Sequence, residues 1–411
     1  MDSSEQDRQI VVESEHLSLV LRDLDEQARV VDDDDRLGLT LIELADVRSA
    51  AKALEDERVT CLQSVATPPM SSDLDRVLAN LRMLSGQRYD GWTPTMGKNR
   101  TLTGVQFKPY ANAGGFTTPS PATAPYGMQA LPRAHRRVRV GLMDTRLEQH
   151  SALAGRYLAD TDTLIRPGTR PAENRWWWEG HATFIAGIVL ARSPAADLDV
   201  RTPLMPGDEP DSGWTMPVWQ VAEHLAGYRD SGVSVLNLSL GCCTDDGKPP
   251  LVLERAIAQL SSRIAVVAAA GNHGVTMTEE DRKRTGLPER AAALFPAALD
   301  GVLAVGAIDR NGVPATFNPI GGQDGVAPWI DVFAPGVDVT STYFGETGGE
   351  EVRVPGDGDG TETVGPFHGY ATWSGTSFAA AYVTGAVAAM IAEGRTPLEA
   401  VESIRASQNP R

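Results

Sequence analysis

Three side chains that together can perform acyl transfer stand where a strand ends or a helix begins. Asp144 ends the apolar run VRVGLMD, His181 begins HATFIAGIVLA, and Ser377 follows a Gly-Thr turn that leads into a helix of small residues. A serine hydroxyl becomes an effective nucleophile when an imidazole accepts its proton, and a carboxylate orients that imidazole. The three residue types therefore predict nucleophilic catalysis at one site.

Asn272, in the stretch AAAGNHG, adds a donor for the charge that such a reaction develops. A side-chain amide can donate to the oxyanion of a tetrahedral intermediate, and the positive end of the helix after Ser377 favours the same charge. Taken alone, each motif can also be interpreted without catalysis, as a turn, a helix cap or a chance match. The four motifs in the order Asp, His, Asn, Ser are far more specific.

The strands and helices that must position these residues are predicted to form an α/β fold. Short, almost continuous apolar runs predict five buried strands, at 138–144, 233–241, 264–272, 301–309 and 330–336. Stretches long enough for crossover helices separate the first four. Apolar strands that alternate with helices predict a parallel sheet with helices on both faces, and ligand-binding groups gather at the carboxyl ends of such strands.

The four motifs, in this order, resemble those of the subtilisin-like serine proteases, the subtilases (peptidase family S8), over about residues 135–395. The family's His-Gly-Thr-x-Val-Ala-Gly reads HATFIAG here, and its Ala-Ala-Gly-Asn-x-Gly reads AAGNHG. The family's Gly-Thr-Ser-Met-Ala reads GTSFA. The resemblance implies a subtilisin-like fold and a serine endopeptidase with the triad Asp144, His181 and Ser377 and the oxyanion donor Asn272.

The resemblance also implies where a protein or peptide substrate binds. The sequence NLSLG matches the strand with which subtilases pair an extended substrate, so Ser239, Leu240 and Gly241 are expected to contact it. Gly271 is expected to lie beside the same cleft. Two alternatives remain at this stage: a peptide-binding protein of this fold without catalysis, and a narrow-specificity processing or effector protease that a partner activates.

Several positions depart from the family pattern. Arg146 replaces the Gly after Asp-Thr, Ala182 replaces the Gly after the histidine, and Ala381 and Tyr382 replace a Pro-His pair. None of these changes removes a reacting group. They indicate a divergent, intracellular member of the family. We expect them to affect catalytic efficiency and not the type of reaction, because a small shift of the nucleophile lowers the reaction rate strongly.

Three successive tryptophans, Trp176–Trp178, precede His181 in RWWWEGHATFIAG. Neither a period of 2.0 nor one of 3.6 keeps three neighbouring side chains on one face, so at least one ring is expected to be exposed. We hypothesise that Trp178 lines the substrate cleft. The alternative is that the rings pack this loop onto the amino-terminal part of the chain.

Residues 1–66 are predicted to form a separate domain. Strands and helices alternate there at 9–13, 14–27, 28–32, 37–44, 45–57 and 58–65. This β-α-β-β-α-β order is the ferredoxin-like pattern. The subtilase resemblance implies a propeptide-like domain that serves as intramolecular inhibitor and folding chaperone. A permanent regulatory or partner-binding domain is the alternative.

Residues 67–135 are predicted to connect this domain to a peptidase domain at 136–411. A helix at 72–85 is followed by a segment rich in Gly, Pro, Thr and Asn without a sustained period. If the amino-terminal domain is a propeptide, the chain is expected to cleave itself within residues 66–115.

Composition excludes several other classes of function. The net charge is −17, and residues 1–60 contain 17 Asp or Glu but only 7 Lys or Arg, which disfavours nucleic-acid binding. The longest mainly apolar run, 378–392, is too short and too interrupted to span a bilayer. Without a secretory signal or a membrane segment, the expected location is the cytoplasm.

No cofactor or metal is expected to be required. Cys61, Cys242 and Cys243 have neither the number nor the spacing of a disulfide framework or a zinc site. Calcium sites are common in subtilases, but DGDGTE (357–362) lacks the ligand spacing of an EF-hand loop and is better read as a turn.

Overall fold

A computed structural model describes residues 5–61, 72–104, 118–125, 137–158, 163–165, 175–202, 205–206, 214–276, 278–280, 282, 288–321, 325–355 and 360–408. The chain divides into two compact units. The first comprises Met1–Thr101, Pro217–Ala226 and Pro250–Ala256, and the second comprises the rest of the chain. The first unit therefore extends beyond the domain boundary predicted at residue 66.

The first unit is built on a four-stranded antiparallel sheet. Its strands and helices are β1 (Gln9–Glu13), α1 (Leu17–Leu24), β2 (Ala28–Asp34), β3 (Leu39–Leu44), α2 (Val47–Cys61), α3 (Asp73–Arg88) and β4 (Met96–Lys98), with all of α5 (Val218–Ala226) and the first half of α6 (Leu251–Ser261). The strand order is β2-β3-β1-β4. Helix α3 confirms the helix predicted at 72–85.

The strand predicted at 58–65 is wrong. Helix α2 continues through Cys61, residues 62–65 lie outside the described part of the chain, and the fourth strand of the sheet is β4 instead. A short apolar run does not distinguish a strand from the continuation of a buried helix, which is why the sequence pattern misled here.

Both faces of strands β1 and β3 are buried, whereas most of β2 is exposed. Ile10 and Val12 point into a core with helices α1, α2 and α3, whereas Val11 alternates to the opposite face and is also fully buried. On β4, a Cβ added at Gly97 would lie 3.4 Å from Cβ of Leu251 in α6. Segments from the later part of the chain therefore complete the first unit.

The second unit contains a seven-stranded parallel sheet, which confirms the predicted α/β class. Its strands are β7 (Val138–Met143), β9 (Tyr157–Leu158), β11 (Ala196–Arg201), β14 (Val235–Leu238), β16 (Ala265–Ala269), β18 (Val302–Ile308) and β19 (Val332–Pro335). Their order is β19-β18-β16-β14-β7-β11-β9, and every pairing is parallel. The sequence pattern identified all of these strands except β9 and β11 at one edge.

Helices and smaller sheets complete the second unit. The helices are α4 (His181–Arg192), α7 (Thr376–Ala392) and α8 (Pro397–Gln408). The remaining strands are β5 (Thr101–Gly104), β6 (Ser120–Pro121), β8 (Leu147–Glu148), β10 (Leu164–Ile165), β12 (Met205–Pro206), β13 (Trp214–Pro217), β15 (Leu240–Cys243), β17 (Leu294–Phe295), β20 (Val339–Thr342), β21 (Glu350–Pro355), β22 (Thr361–Phe367) and β23 (Tyr370–Trp373). No helix in the described ranges is both long and apolar enough to cross a membrane.

One of these smaller sheets bears directly on the candidate site. Its strand order is β12-β13-β5-β15-β17, so β5 lies between β13 and β15. Strands β4, β5 and β6 all fall within the segment 67–135, most of which the sequence analysis treated as irregular. Each is two to four residues long, too short for a sustained period to be visible in the sequence.

Candidate active site

Asp144 and His181 form a buried hydrogen-bonded pair. Asp144 directly follows the central strand β7, and His181 is the first residue of α4. The imidazole Nδ1 lies 2.8 Å from Asp144 Oδ1, and both side chains are fully buried. Thr145 reinforces the arrangement: its backbone N–H donates to Asp144 Oδ1 at 2.7 Å, and its hydroxyl accepts from the backbone N–H of Ala182 at 3.0 Å.

Ser377 lies in the first turn of α7, beside this pair. The ring of Phe378, the next residue, has its centroid 5.7 Å from that of His181. The Ser377 hydroxyl is buried and makes no hydrogen bond to any described atom. Its backbone carbonyl accepts a long hydrogen bond, 3.5 Å, from the hydroxyl of Ser239. The structure thus pairs Asp144 with His181 and places the first turn of α7 beside the imidazole, without a hydrogen bond from Ser377 Oγ to His181 Nε2.

Asn272 is held with its amide in a defined orientation next to the same helix. Its Oδ1 accepts from the backbone N–H of Thr376 at 2.9 Å and from the Thr376 hydroxyl at 3.0 Å. Because both donors bind the oxygen, the Nδ2 group must point away from Thr376. Gly271 donates its N–H to the Thr376 hydroxyl at 3.2 Å. Its φ is +114°, a backbone conformation that residues other than glycine rarely adopt.

The predicted substrate strand is already paired with another part of the same chain. In β15, Leu240 lies opposite Gly104 and Gly241 opposite Thr103, in antiparallel register. Ser239 directly precedes β15 and is fully buried. A four-residue segment of the chain therefore occupies the edge at which an extended peptide would add.

The tryptophans point mainly inward. A 3-10 turn, Trp177–Gly180, replaces the regular helix or strand assumed in the sequence analysis, and it buries Trp177 and Trp178, while Trp176 keeps partial exposure. Trp177 packs edge-on against Trp373 with ring centroids 5.3 Å apart. Trp373 in turn packs edge-on against His181 at 5.6 Å. Trp177 thus supports the Trp373 ring, which in turn packs against the imidazole.

A buried ion cluster, consisting of Arg175, Glu148, Glu179 and Glu350, lies under the loop that leads to His181. The fully buried guanidinium of Arg175 pairs with Glu148 and, at 3.2 Å, with Glu350 from β21. The carboxylate of Glu179 accepts from the N–H of Trp176 at 2.9 Å. Burial raises the pKa of Glu148 to about 7 against the opposing effect of Arg175, and the charges of Glu350 and Glu179 raise it further.

This cluster predicts a pH-dependent stability that Glu148→Gln removes. The folded protein holds a proton on Glu148 more tightly than the unfolded chain does, so the side chain's contribution to stability falls as pH rises from about 4.5 to about 7. We therefore expect Glu148→Gln to gain on the order of 1–3 kcal/mol relative to wild type between pH 5 and pH 8. Thermal unfolding of both proteins at the two pH values measures the difference.

Glu351→Gln is the matched control for this experiment, because Glu351 is exposed on the same strand as Glu350. That variant should track the wild type at both pH values. An equal response of wild type and Glu148→Gln to pH would contradict the raised pKa.

Two sets of polar residues do not form further sites. Burial raises the pKa of Cys243 to about 12, which keeps it a thiol at neutral pH and disfavours a nucleophilic role. Among the described residues no three His, Cys, Asp or Glu side chains are grouped so as to hold a metal ion. The DGDGTE stretch considered for calcium lies partly outside the described residues, as do the parts 66–71 and 105–115 of the range considered for self-cleavage.

Sequence reasoning missed the residues that support the site. Thr145, Thr376 and Trp373 hold the carboxylate, the amide and the imidazole respectively. The first two are adjacent to predicted site residues, which could have indicated them. Neither Trp373 nor the pairing of β5 with β15 carries a local signal, since both depend on contacts between distant parts of the chain.

Comparison with known proteins agrees with this geometry. The model of the subtilase family matches residues 135–406. A thermophilic serine proteinase of Bacillus sp. (strain AK1) is 30% identical over 229 residues, which are 54% of this chain and 45% of that protein. Subtilisin Savinase of Lederbergia lenta is 29% identical over 284 residues, 65% of this chain and 83% of that protein. The chain thus spans about half the length of the first relative.

A solved structure with a similar fold is fervidolysin from Fervidobacterium pennivorans, described as a keratinolytic enzyme related to subtilisin. It superposes with a TM-score of 0.54 at 18% sequence identity, covering 96% of this chain and 56% of that one. At this identity the likeness concerns the fold alone.

Proposed function

The chain belongs to the subtilase family, and we propose that it is a serine endopeptidase that hydrolyses peptide bonds with the triad Asp144, His181 and Ser377. The observation that carries the proposal is the buried 2.8 Å hydrogen bond between His181 and Asp144 beside the first turn of α7. An imidazole bonded to a carboxylate through Nδ1 directs Nε2 at the nucleophile.

In the proposed reaction, Ser377 Oγ attacks the peptide carbonyl carbon while His181 Nε2 takes the hydroxyl proton. The imidazolium, stabilised by Asp144, then donates that proton to the leaving nitrogen as the C–N bond breaks. A water molecule attacks the acyl-enzyme by the same sequence of proton transfers. The carboxylic acid leaves and the Ser377 hydroxyl is restored.

The developing negative charge is proposed to be stabilised by two donors. The Asn272 Nδ2 group points away from Thr376, whose N–H and hydroxyl hold the amide oxygen. The backbone N–H of Ser377 lies in the first turn of α7, where helical N–H groups have no intrahelical partner. Donors of this kind at an oxyanion contribute about 10²–10³-fold in rate.

We propose that β15 binds the substrate and that β5 inhibits the enzyme by occupying the same edge. Thr103 and Gly104 pair with Gly241 and Leu240 as an incoming peptide would. β13 borders the opposite side of β5 in the same sheet, so the segment lies between two strands, as a bound substrate would in such a cleft. Peptide binding then requires this segment to leave.

The amino-terminal part of the first unit, up to about Thr101, is proposed to be a propeptide-like domain with the predicted ferredoxin-like pattern. Its contacts with later segments would hold it in place after cleavage. Arg255 of α6 pairs with Glu13 at 2.9 Å, and the indole N–H of Trp219 in α5 donates to Asp32 at 3.1 Å. The buried second face of the sheet adds hydrophobic stabilisation, about 1.5–3 kcal/mol for each fully buried aliphatic side chain.

Labelling with a fluorophosphonate tests the proposed chemistry. The probe reacts with a serine that an adjacent base activates, and the adduct adds a fixed mass to the peptide that contains Ser377. We expect time-dependent labelling at that residue once β5 has been displaced or cleaved. Equal labelling of wild type and Ser377→Ala would contradict the proposal.

Self-processing is a separate prediction. If β5 lies in the cleft as an internal substrate in the register of its pairing with β15, intact-mass analysis of purified wild type should show loss of a fragment that ends one residue beyond Gly104, after Val105. Ser377→Ala should keep its full mass under the same conditions. Ser193→Ala, which alters a buried serine at the other end of α4, should process as the wild type does. Full-length wild type with peptidase activity would instead favour a permanent regulatory domain.

A further inference from the structure

The register of β5 on β15 indicates where the residue that carries the carbonyl group of the cleaved bond would lie. Thr103 lies opposite Gly241 and Gly104 opposite Leu240, so the next residue of a peptide bound in this register lies opposite Ser239. The Ser239 hydroxyl is 3.5 Å from the backbone carbonyl oxygen of Ser377. A substrate paired in this way would therefore place its acyl residue, the one on the amino side of the cleaved bond, next to the nucleophile.

Two glycines face the side chain of that acyl residue. Its carbonyl must reach Ser377 and Asn272, so the residue lies between β15 on one side and Gly271–Asn272 on the other. Neither Gly241 nor Gly271 has a side chain, and the φ of Gly271, +114°, strains any replacement. The two backbones thus form the walls of a slot.

Leu294 lies against both glycines. A Cβ added at Gly241 would lie 2.8 Å from Leu294 Cγ. One added at Gly271 would lie 3.3 Å from Leu294 Cδ2 and 2.7 Å from Nδ1 of the buried His273. The Leu294 side chain is fully buried. Its position is defined by the pairing of β17 with β15, in which Leu294 lies opposite Cys243.

We propose that Leu294 is the floor of the pocket for the acyl residue and restricts that residue to small side chains such as Ala or Ser. This inference rests on the proposed peptidase function. A large side chain entering the slot would have to displace a leucine that is already packed between two backbones. Overpacking of this kind is costly because protein interiors are close to crystal density.

The test compares two peptides that differ only at the acyl residue, one with Ala and one with Phe. For processed wild type we expect kcat/KM for the Ala peptide to exceed that for the Phe peptide by about 10²-fold or more. Leu294→Ala should raise the Phe-to-Ala ratio by at least about 10-fold, and Leu294→Val should raise it by a smaller factor. Since both peptides are measured on one sample, the ratio does not depend on the fraction of folded enzyme.

Leu303→Ala is the matched control, because it truncates an equally buried leucine on β18. It should lower stability while leaving the ratio at the wild-type value. Wild-type preference for Phe, or an unchanged ratio in both Leu294 variants, would overturn the inference while leaving the peptidase function intact. Hydrolysis of neither peptide, with no fluorophosphonate labelling, would instead overturn the proposed function and this inference with it.

Discussion

Ser377→Ala is expected to lower kcat/KM by about 10⁶-fold while leaving the melting temperature close to that of the wild type. The loss is large because the nucleophile and its base act as a unit, so removing one member forfeits almost the whole contribution of the triad. Residual hydrolysis above the uncatalysed rate would come from the oxyanion donors and from substrate binding.

The stability should survive because the Ser377 hydroxyl is buried and makes no hydrogen bond to any described atom. Its removal leaves no buried partner unsatisfied, which is the usual source of a large penalty. Steady-state kinetics with a peptide substrate and thermal unfolding measure the two effects.

Ser193→Ala provides the matched control, since that serine is also fully buried with a hydroxyl that bonds to no described atom. It caps the opposite end of the twelve-residue helix α4, roughly 18 Å from His181 at 1.5 Å per residue. We expect wild-type kinetics from it. Substantial turnover by Ser377→Ala would assign the nucleophile to another residue.

Asp144→Asn is expected to lower kcat/KM by about 10⁴-fold with little change in KM. Asp144 Oδ1 accepts from His181 Nδ1 at 2.8 Å and from the Thr145 N–H at 2.7 Å. An amide of the same shape has no charge to stabilise the imidazolium. It can also donate to Nδ1, which favours the tautomer that cannot accept the serine proton.

Steady-state kinetics distinguish this effect from a loss of binding, because an interaction made only in the transition state lowers kcat and kcat/KM together. Asp199→Asn is the control: that residue is half-buried on the neighbouring strand β11 and should show wild-type kinetics. An Asp144→Asn enzyme with more than about a tenth of the wild-type kcat would show that the carboxylate does not orient the base.

In the proposed autoinhibition, peptidase activity depends on whether β5 leaves β15. The backbone pairing of Thr103 and Gly104 with β15 involves few residues, whereas the chain up to Thr101 has a buried core and contacts with α5 and α6. Cleavage of the connection therefore releases the local segment more readily than the domain. If β5 inhibits the enzyme as proposed, we expect activation in two stages, cleavage followed by slow departure of the amino-terminal domain.

The amino-acid sequence by itself determined the class of fold and singled out the four residues that we propose carry the chemistry. Asp144, His181, Asn272 and Ser377 each sit in a motif of a few residues at the end of an apolar strand or the start of a helix. Such motifs are local, and the carboxyl ends of parallel strands bring ligand-binding groups to one edge of the sheet. Five of the seven strands of the parallel sheet could be predicted because each is an apolar run, whereas β9 and β11 could not.

Only the tertiary structure decided what surrounds those groups. The Trp177–Trp373 support of His181, the ion cluster of Arg175 and the position of Leu294 between two glycines all join segments far apart in sequence. The strand β5 is too short to show a period, and it is defined by its partner β15 instead. Pairing and packing of this kind depend on which elements lie next to each other in the folded chain, and a local residue pattern does not predict those long-range contacts.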